Sequence, residues 1–88
     1  MKEYRIEFKQ DALKALRVMP EIVYRNIQEA VLALRAEPFP HGYEKMRGYA
    51  GYYRIRVGKY RILYHVSTKI RVIIIIRVLH RKDVYKNL

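Results

Sequence analysis

The stretch from Tyr52 to Val66, YYRIRVGKYRILYHV, consists of two runs of alternating strand formers separated by Gly58 and Lys59. Glycine supplies the positive backbone angle that a tight hairpin needs, so this spacing predicts two antiparallel strands joined by a two-residue turn. Side chains in a strand alternate with a period of two, and the turn therefore fixes the pairing. Val57 faces Tyr60, Arg56 faces Arg61, Ile55 faces Ile62, Arg54 faces Leu63, Tyr53 faces Tyr64 and Tyr52 faces His65. Tyr53, Ile55, Val57, Tyr60, Ile62 and Tyr64 share the side toward a core, and Tyr52, Arg54, Arg56, Arg61, Leu63 and His65 share the other. A slip of one residue would bury the arginines, which excludes the alternative register.

The remaining elements arrange themselves around this hairpin. Residues 3–8 alternate, with Tyr4, Ile6 and Phe8 on one side, and read as a half-buried first strand. Asp11 can open a helix running to about Leu16, and Pro20 forces a break or a new first turn. From Glu21 to about Arg35 the set Ile22, Val23, Ile27, Ala30, Val31 and Leu34 repeats with helical spacing, until Pro38 and Pro40 end it. Residues 37–51 hold two prolines and three glycines and read as a connecting loop with one extended stretch. After the hairpin, IRVIIIIRVL is apolar on both faces over Val72–Ile76, so it should run through the interior of the sheet. The expected architecture is α+β: two N-terminal helices on one face of a small, mainly antiparallel sheet of about four strands, with a short C-terminal tail. At 88 residues the chain is expected to form one domain, residues 1–88.

The formal net charge of +11 is unevenly placed. Residues 1–44 carry seven lysines and arginines against seven acids, whereas residues 45–88 carry twelve against Asp83 alone. A polyanion should meet that second half. Without cysteine there is neither a disulfide framework nor a thiolate nucleophile, as suits a reducing cytoplasm. The N-terminal residues lack a secretory apolar stretch, and the longest aliphatic run falls far short of the roughly 20 residues that span a bilayer, so no membrane association is expected.

Three arginines on one face of a hairpin are the chemically informative feature. Like charges directly opposite in a sheet oppose pairing by roughly 0.2–1 kcal/mol, so Arg56 against Arg61 is not a choice made for stability. A bridging anion resolves the conflict, because guanidinium groups grip phosphate through paired hydrogen bonds, and Tyr52 and His65 beside them suit a nucleotide. A solvated arginine face is the plainer alternative. The last strand leads into His80, Arg81, Lys82, Asp83, Val84 and Tyr85, which should bring a histidine, two cations and a phenol to the end of the same sheet. His65 and His80 taken singly read as ordinary surface or structural histidines. His41, His65 and His80 have no metal-ligand spacing, no phosphate-binding glycine motif occurs, and no serine stands in a nucleophile context, so neither a metal nor a cofactor is expected.

The frame EKMRGYAGYYRIRVGKYRILYHV, the aliphatic strand after it and the closing HRKDVY resemble the RelE/ParE superfamily of bacterial and archaeal toxins over nearly the whole chain. RelE-type members of that superfamily are ribosome-dependent endoribonucleases that cut messenger RNA in the decoding site, whereas ParE-type members poison DNA gyrase. The resemblance carries the RelE catalytic positions onto Arg54, Arg56, Arg61, Arg81 and Tyr85, all suitably occupied; Tyr52 and His65, from the strand pairing, and His80 and Lys82, from the tail, are the expected substrate-binding neighbours. It implies metal-independent attack of a ribose 2′-hydroxyl on the adjacent phosphate. It also implies messenger RNA in the ribosomal A site and ribosomal RNA as partners, and a co-encoded acidic antitoxin that assembles with the toxin. A ParE-like gyrase inhibitor or nucleic-acid-binding module using the same basic face is the alternative. One departure bears on mechanism: the best-known RelE pattern has lysines where Arg54 and Arg56 stand, and arginine stays protonated. The base is then Tyr85, His65, His80 or none in the free protein, and catalysis is expected to be weak. The glutamate–histidine pair of other branches lacks support, since the basic half offers only Asp83.

The charge distribution generates a first prediction. Affinity for single-stranded RNA should fall by more than about tenfold between 50 and 200 mM salt, because several cations release counterions on binding. A titration across that range showing a flat response would refute the electrostatic reading of residues 45–88.

Overall fold

The computed structural model describes residues 3–82. Asp83 and Tyr85 therefore lie outside the described residues. The chain runs β1 (Arg5–Phe8), α1 (Gln10–Arg17), α2 (Glu21–Ala33), β2 (Glu44–Lys45), β3 (Tyr52–Val57), β4 (Tyr60–Ser67) and β5 (Val72–His80). The strands form one sheet in the order β1-β5-β4-β3-β2, antiparallel throughout except for the parallel pair β1 and β5.

The expected pairing of β3 with β4 is the observed one, from Tyr52 opposite His65 to Val57 opposite Tyr60, with Gly58 at φ 58° in the turn. The aliphatic strand β5 lies between β1 and β4, which explains why it is apolar on both faces. The sheet has five strands where about four were expected. The addition is β2, two residues of the Pro- and Gly-rich connection that pair with Arg54 and Tyr53 at the edge.

Both helices cover the face that carries Ile55, Ile62, Tyr64, Ile73, Ile75 and Val78, and these meet Ala12 from α1, Ile27 and Val31 from α2 and Leu34 just after it in one buried cluster. In α1, Asp11 sits in the first turn and Arg17 in the last, each favourable against the helix dipole. In α2, Pro20 takes the capping position, where its missing N–H costs nothing, and Glu21 follows. Ile22 departs from expectation: it belongs to the helical apolar repeat yet is 61% exposed, because Val23, Ile27, Ala30 and Val31 supply the packed side of α2.

The connection after α2 is held down by aromatic packing. Phe39 lies 5.4 Å from Tyr43 and 5.0 Å from Tyr53, and Tyr53 lies 5.9 Å from Tyr64, measured between ring centroids. Tyr64 is fully buried and its hydroxyl donates to the Pro38 carbonyl at 2.7 Å. Burial first, and then the neighbouring Tyr53 and Tyr43 phenols, push its ionisation far above the usual tyrosine range. This anchoring brings Glu44 and Lys45 alongside β3.

Tyr64→Phe removes that hydrogen bond and leaves the carbonyl without its donor, so denaturant unfolding at neutral pH should register a loss of about 1 kcal/mol. A phenol kept neutral by folding contributes stability below the unfolded tyrosine pKa of about 10 and loses it as pH rises beyond. The gap between wild type and Tyr64→Phe should accordingly narrow above about pH 10. A gap unchanged in alkali would show that Tyr64 ionises as freely in the folded protein as in the unfolded chain.

Candidate nucleic-acid site on the open sheet face

The face opposite the helices carries, along β3, Tyr52, Arg54 and Arg56, and along β4, Arg61, Leu63 and His65. Arg56 and Arg61 are cross-strand neighbours, and directly opposite residues in an antiparallel pair have Cα atoms roughly 4.5–5.5 Å apart. The Arg56 side chain is exposed and has no ion-pair or hydrogen-bond partner among the described residues. Arg61 is half-buried, and among the described residues its guanidinium donates only to the Tyr60 carbonyl, at 3.3 Å. Two fixed positive charges thus stand side by side, with no carboxylate between them among the described residues.

Arg54, one register step inward, is differently placed. Its Nε donates to Oε1 of Glu44 at 3.1 Å, across the β2–β3 pair. The Arg54 side chain is only 24% exposed, so Glu44 and its own strand hold it flat against the sheet. Glu44 is the residue that reasoning from the sequence missed. It falls in the charge-neutral half of the chain, and a two-residue edge strand within a proline-rich connection has no periodicity to reveal it. The expectation that the basic half offers only Asp83 is corrected accordingly, because the fold carries Glu44 onto the arginine face.

Arg81 follows the end of β5. Its backbone N–H donates to the Lys59 carbonyl at 2.7 Å, which places it beside the hairpin turn, at the same end of the sheet as Arg56 and Arg61. Lys82 is exposed next to it, and its N–H donates to Nδ1 of His80 at 3.2 Å. Four of the expected arginines thus gather at or near one end of the hairpin.

His80 does not join them. It pairs with Tyr60, whose side chain belongs to the helix-side set, and the two rings lie 5.2 Å apart. The cause is a bulge: Tyr64 pairs with Ile75 while Leu63 pairs with Arg77, leaving Ile76 as the extra residue in β5. Every later side chain of β5 is shifted to the opposite face, so the expectation that His80 extends the arginine cluster is corrected.

His65 and Tyr52 do share the arginine face, as a ring pair 4.7 Å apart. They stand four residues along the strands from Arg56 and Arg61, about 13 Å at the usual strand rise. His41 is exposed on a groove of about 730 Å³ that Glu37, Glu44 and Arg56 also line. Against this frame the arrangement can hold an anion at the Arg56–Arg61 end, with Arg81 at its border and a carboxylate one strand away.

Comparison with known proteins agrees with this architecture. Residues 4–85 match the family model described as the ParE toxin of type II toxin–antitoxin systems, parDE. RelE1 of Methanocaldococcus jannaschii is 30% identical over 88 residues, covering 97% of this chain and 98% of that one. Toxin RelG of Mycobacterium tuberculosis is 31% identical over 84 residues, covering 94% and 97%. Among solved structures, the archaeal RelE–RelB complex from Pyrococcus horikoshii superposes with a TM-score of 0.81 at 33% identity, covering 90% of this chain and 96% of that chain. The chain therefore belongs to the RelE/ParE family of toxins of type II toxin–antitoxin systems, and its relatives are of the RelE kind.

Proposed function

We propose that this toxin is a metal-independent endoribonuclease that cuts messenger RNA in the ribosomal A site and so inhibits translation in the cytoplasm. The observation that carries the reading is the adjacent pair Arg56, exposed, and Arg61, half-buried, on the helix-free face with no carboxylate joined to either among the described residues. A phosphodiester placed there receives two guanidinium groups from neighbouring strands. The ribose 2′-oxygen attacks phosphorus, the bond to the 5′-oxygen breaks, and the products carry a 2′,3′-cyclic phosphate and a 5′-hydroxyl. Arg54, Arg56 and Arg61 neutralise the charge that develops on the phosphorane, and Arg81 stabilises the leaving 5′-oxygen, which takes its proton from water. Tyr85, outside the described residues, is assigned the orienting or stacking role that the family resemblance implies, and Lys82 a phosphate contact.

The proton of the 2′-hydroxyl needs an acceptor. None of the four arginines can take it. His80 stands on the other face and His65 about 13 Å from the phosphate position. Glu44 is the carboxylate one strand from Arg54, and we assign it this proton.

A partner is expected as well. The solved relatives include RelE–RelB toxin–antitoxin complexes, and by analogy this toxin pairs with an acidic antitoxin. An apolar groove of about 310 Å³ between β1 and the helices, lined by Phe8, Tyr24 and Leu32 among others, offers that partner apolar surface apart from the arginine face. Ribosomal RNA supplies the remaining polyanionic contact.

The reading is tested by cleavage of translated messenger and by growth on expression. Arg61→Ala and Arg81→Ala should relieve growth arrest and lower cleavage by at least about a hundredfold while the protein stays folded, as expected for loss of a transition-state contact. A folded variant of either kind with undiminished toxicity would remove that residue from the site. Because the matched family model bears the ParE name, DNA supercoiling by gyrase is assayed in parallel. Inhibition of gyrase without RNA cleavage would replace the nuclease with the ParE activity.

Glu44→Gln separates binding from chemistry. It frees Arg54 from an ion pair of the exposed kind, worth at most about 1 kcal/mol, so RNA should bind a few-fold tighter. Cleavage should nevertheless slow by about a hundredfold or more, in the range expected for a general base. Cleavage at the wild-type rate would show that Glu44 takes no proton.

A further inference from the structure

The loop between β2 and β3 carries an aromatic residue that nothing in the phosphate chemistry requires. Its backbone is closed by three hydrogen bonds. The Met46 N–H donates to the Tyr52 carbonyl at 2.9 Å, the Tyr49 N–H to the Met46 carbonyl at 3.2 Å, and the Tyr52 N–H to the Tyr49 carbonyl at 3.1 Å. Tyr49 is thereby fixed through both its N–H and its carbonyl, yet its side chain is left 63% exposed. Among the described residues its ring meets one other, that of Tyr52, in a T-shaped contact at 6.4 Å between centroids, and Tyr52 in turn leans on His65 at 4.7 Å.

Gly51 is the hinge of this arrangement. Its φ of 84° is one that side-chain-bearing residues rarely adopt, and a Cβ there would stand 2.9 Å from Nε2 of His65. The bare backbone is what lets the His65 ring lie under the loop, and the Gly51 carbonyl accepts the Val66 N–H at 3.0 Å to hold the loop at that height. Three rings therefore step from the loop onto the sheet face that carries Arg54, Arg56 and Arg61, and the exposed Arg47 stands in the same loop.

A row of cations that continues into a row of rings, exposed at its outer member Tyr49, matches single-stranded nucleic acid, whose phosphates take the charges and whose bases take the ring faces. An acidic peptide would use the cations and leave the rings idle. An isolated phosphate would need neither the loop nor the span of about 13 Å between the ring pair and the Arg56–Arg61 pair. An extended strand covers that distance in a couple of nucleotides.

We propose that Tyr49, backed by Tyr52 and His65, stacks on one base of the bound RNA a short way along the strand from the phosphate held by Arg56 and Arg61. Gly51 is a positioning residue that makes room for the His65 ring. This subsite rests on the RNA reading given above and adds to it a contact with a base, at a defined distance from the cleaved bond.

The test uses the full chain and short polyadenosine oligoribonucleotides that are intact or carry a single abasic position, moved along the strand. Binding is followed by fluorescence anisotropy at low salt. Wild type should bind about tenfold more weakly when one particular position is abasic, which is the scale of one base–aromatic stack. Tyr49→Ala should bind intact RNA about tenfold more weakly and lose that positional discrimination, whereas Tyr49→Trp keeps it. Gly51→Ala, which drives a methyl group onto His65, should reduce the discrimination, while Arg56→Ala should weaken intact and abasic strands alike. Equal binding of every abasic strand by wild type, a comparison that needs no variant to fold, would overturn the subsite and leave the RNA reading standing. Discrimination that survives in Tyr49→Ala would do the same. Failure of wild type to bind any of the strands would overturn the RNA reading and the subsite with it.

Discussion

The two-residue turn at Gly58 and Lys59 sets a register on which the rest of the molecule depends. With Val57 opposite Tyr60, the side chains of β3 and β4 divide into an apolar set toward the helices and a polar set away from them. Ile55, Ile62 and Tyr64 enter the buried cluster only because Arg54, Arg56 and Arg61 leave it. Moving the turn by one residue would exchange the two sets. Three guanidinium groups would then enter a core whose described buried members are all hydrophobic, at a cost far above that of any turn. Core and candidate site are thus two sides of one constraint, and a side chain cannot be moved between them without loss to both.

The same constraint explains why the arginines are tolerated. Cross-strand repulsion between Arg56 and Arg61 is a fraction of a kilocalorie in a solvated setting, and the burial of Ile62, Tyr64, Ile73 and Ile75 easily exceeds it. Glu44 relieves Arg54 but does not reach between Arg56 and Arg61. Among the described residues the face therefore grades from a compensated end at Arg54 to an uncompensated end at the hairpin tip. An anion gains most at the tip, where none of the described carboxylates has to be displaced first.

The legible parts of the chain were those whose signal is local. The hairpin, its register, both helices and the interior position of β5 follow from periodicity and turn chemistry within a few residues of each element. The parallel partnership of β1 with β5 joins segments more than sixty residues apart in sequence, and no local pattern encodes it. Strand β2 was hidden for another reason: Glu44 and Lys45 have no strand propensity to speak of and are held by the packing of Phe39 and Tyr43 on Tyr53. The carboxylate that this brings to Arg54 was invisible for as long as charges were counted by position along the chain.

The bulge in β5 was different, because its cause was present in the sequence. From Val72 the residues read VIIIIRVLH, and with Ile73 and Ile75 facing the core a strict alternation would send Arg77 there too. Burying that charge without a partner would cost several kilocalories, whereas one extra residue costs a ladder bond and some twist. The observed strand takes the second course. Ile76 is the extra residue, Val78 occupies the core position, and Arg77 reaches Asp11 of α1 at 3.7 Å. His80 is carried to the face of Tyr60 as a consequence, with no requirement of its own. An arginine at the wrong parity inside an aliphatic strand is thus a signal for a bulge, and each functional residue beyond it must be counted from the bulge and not from the start of the strand.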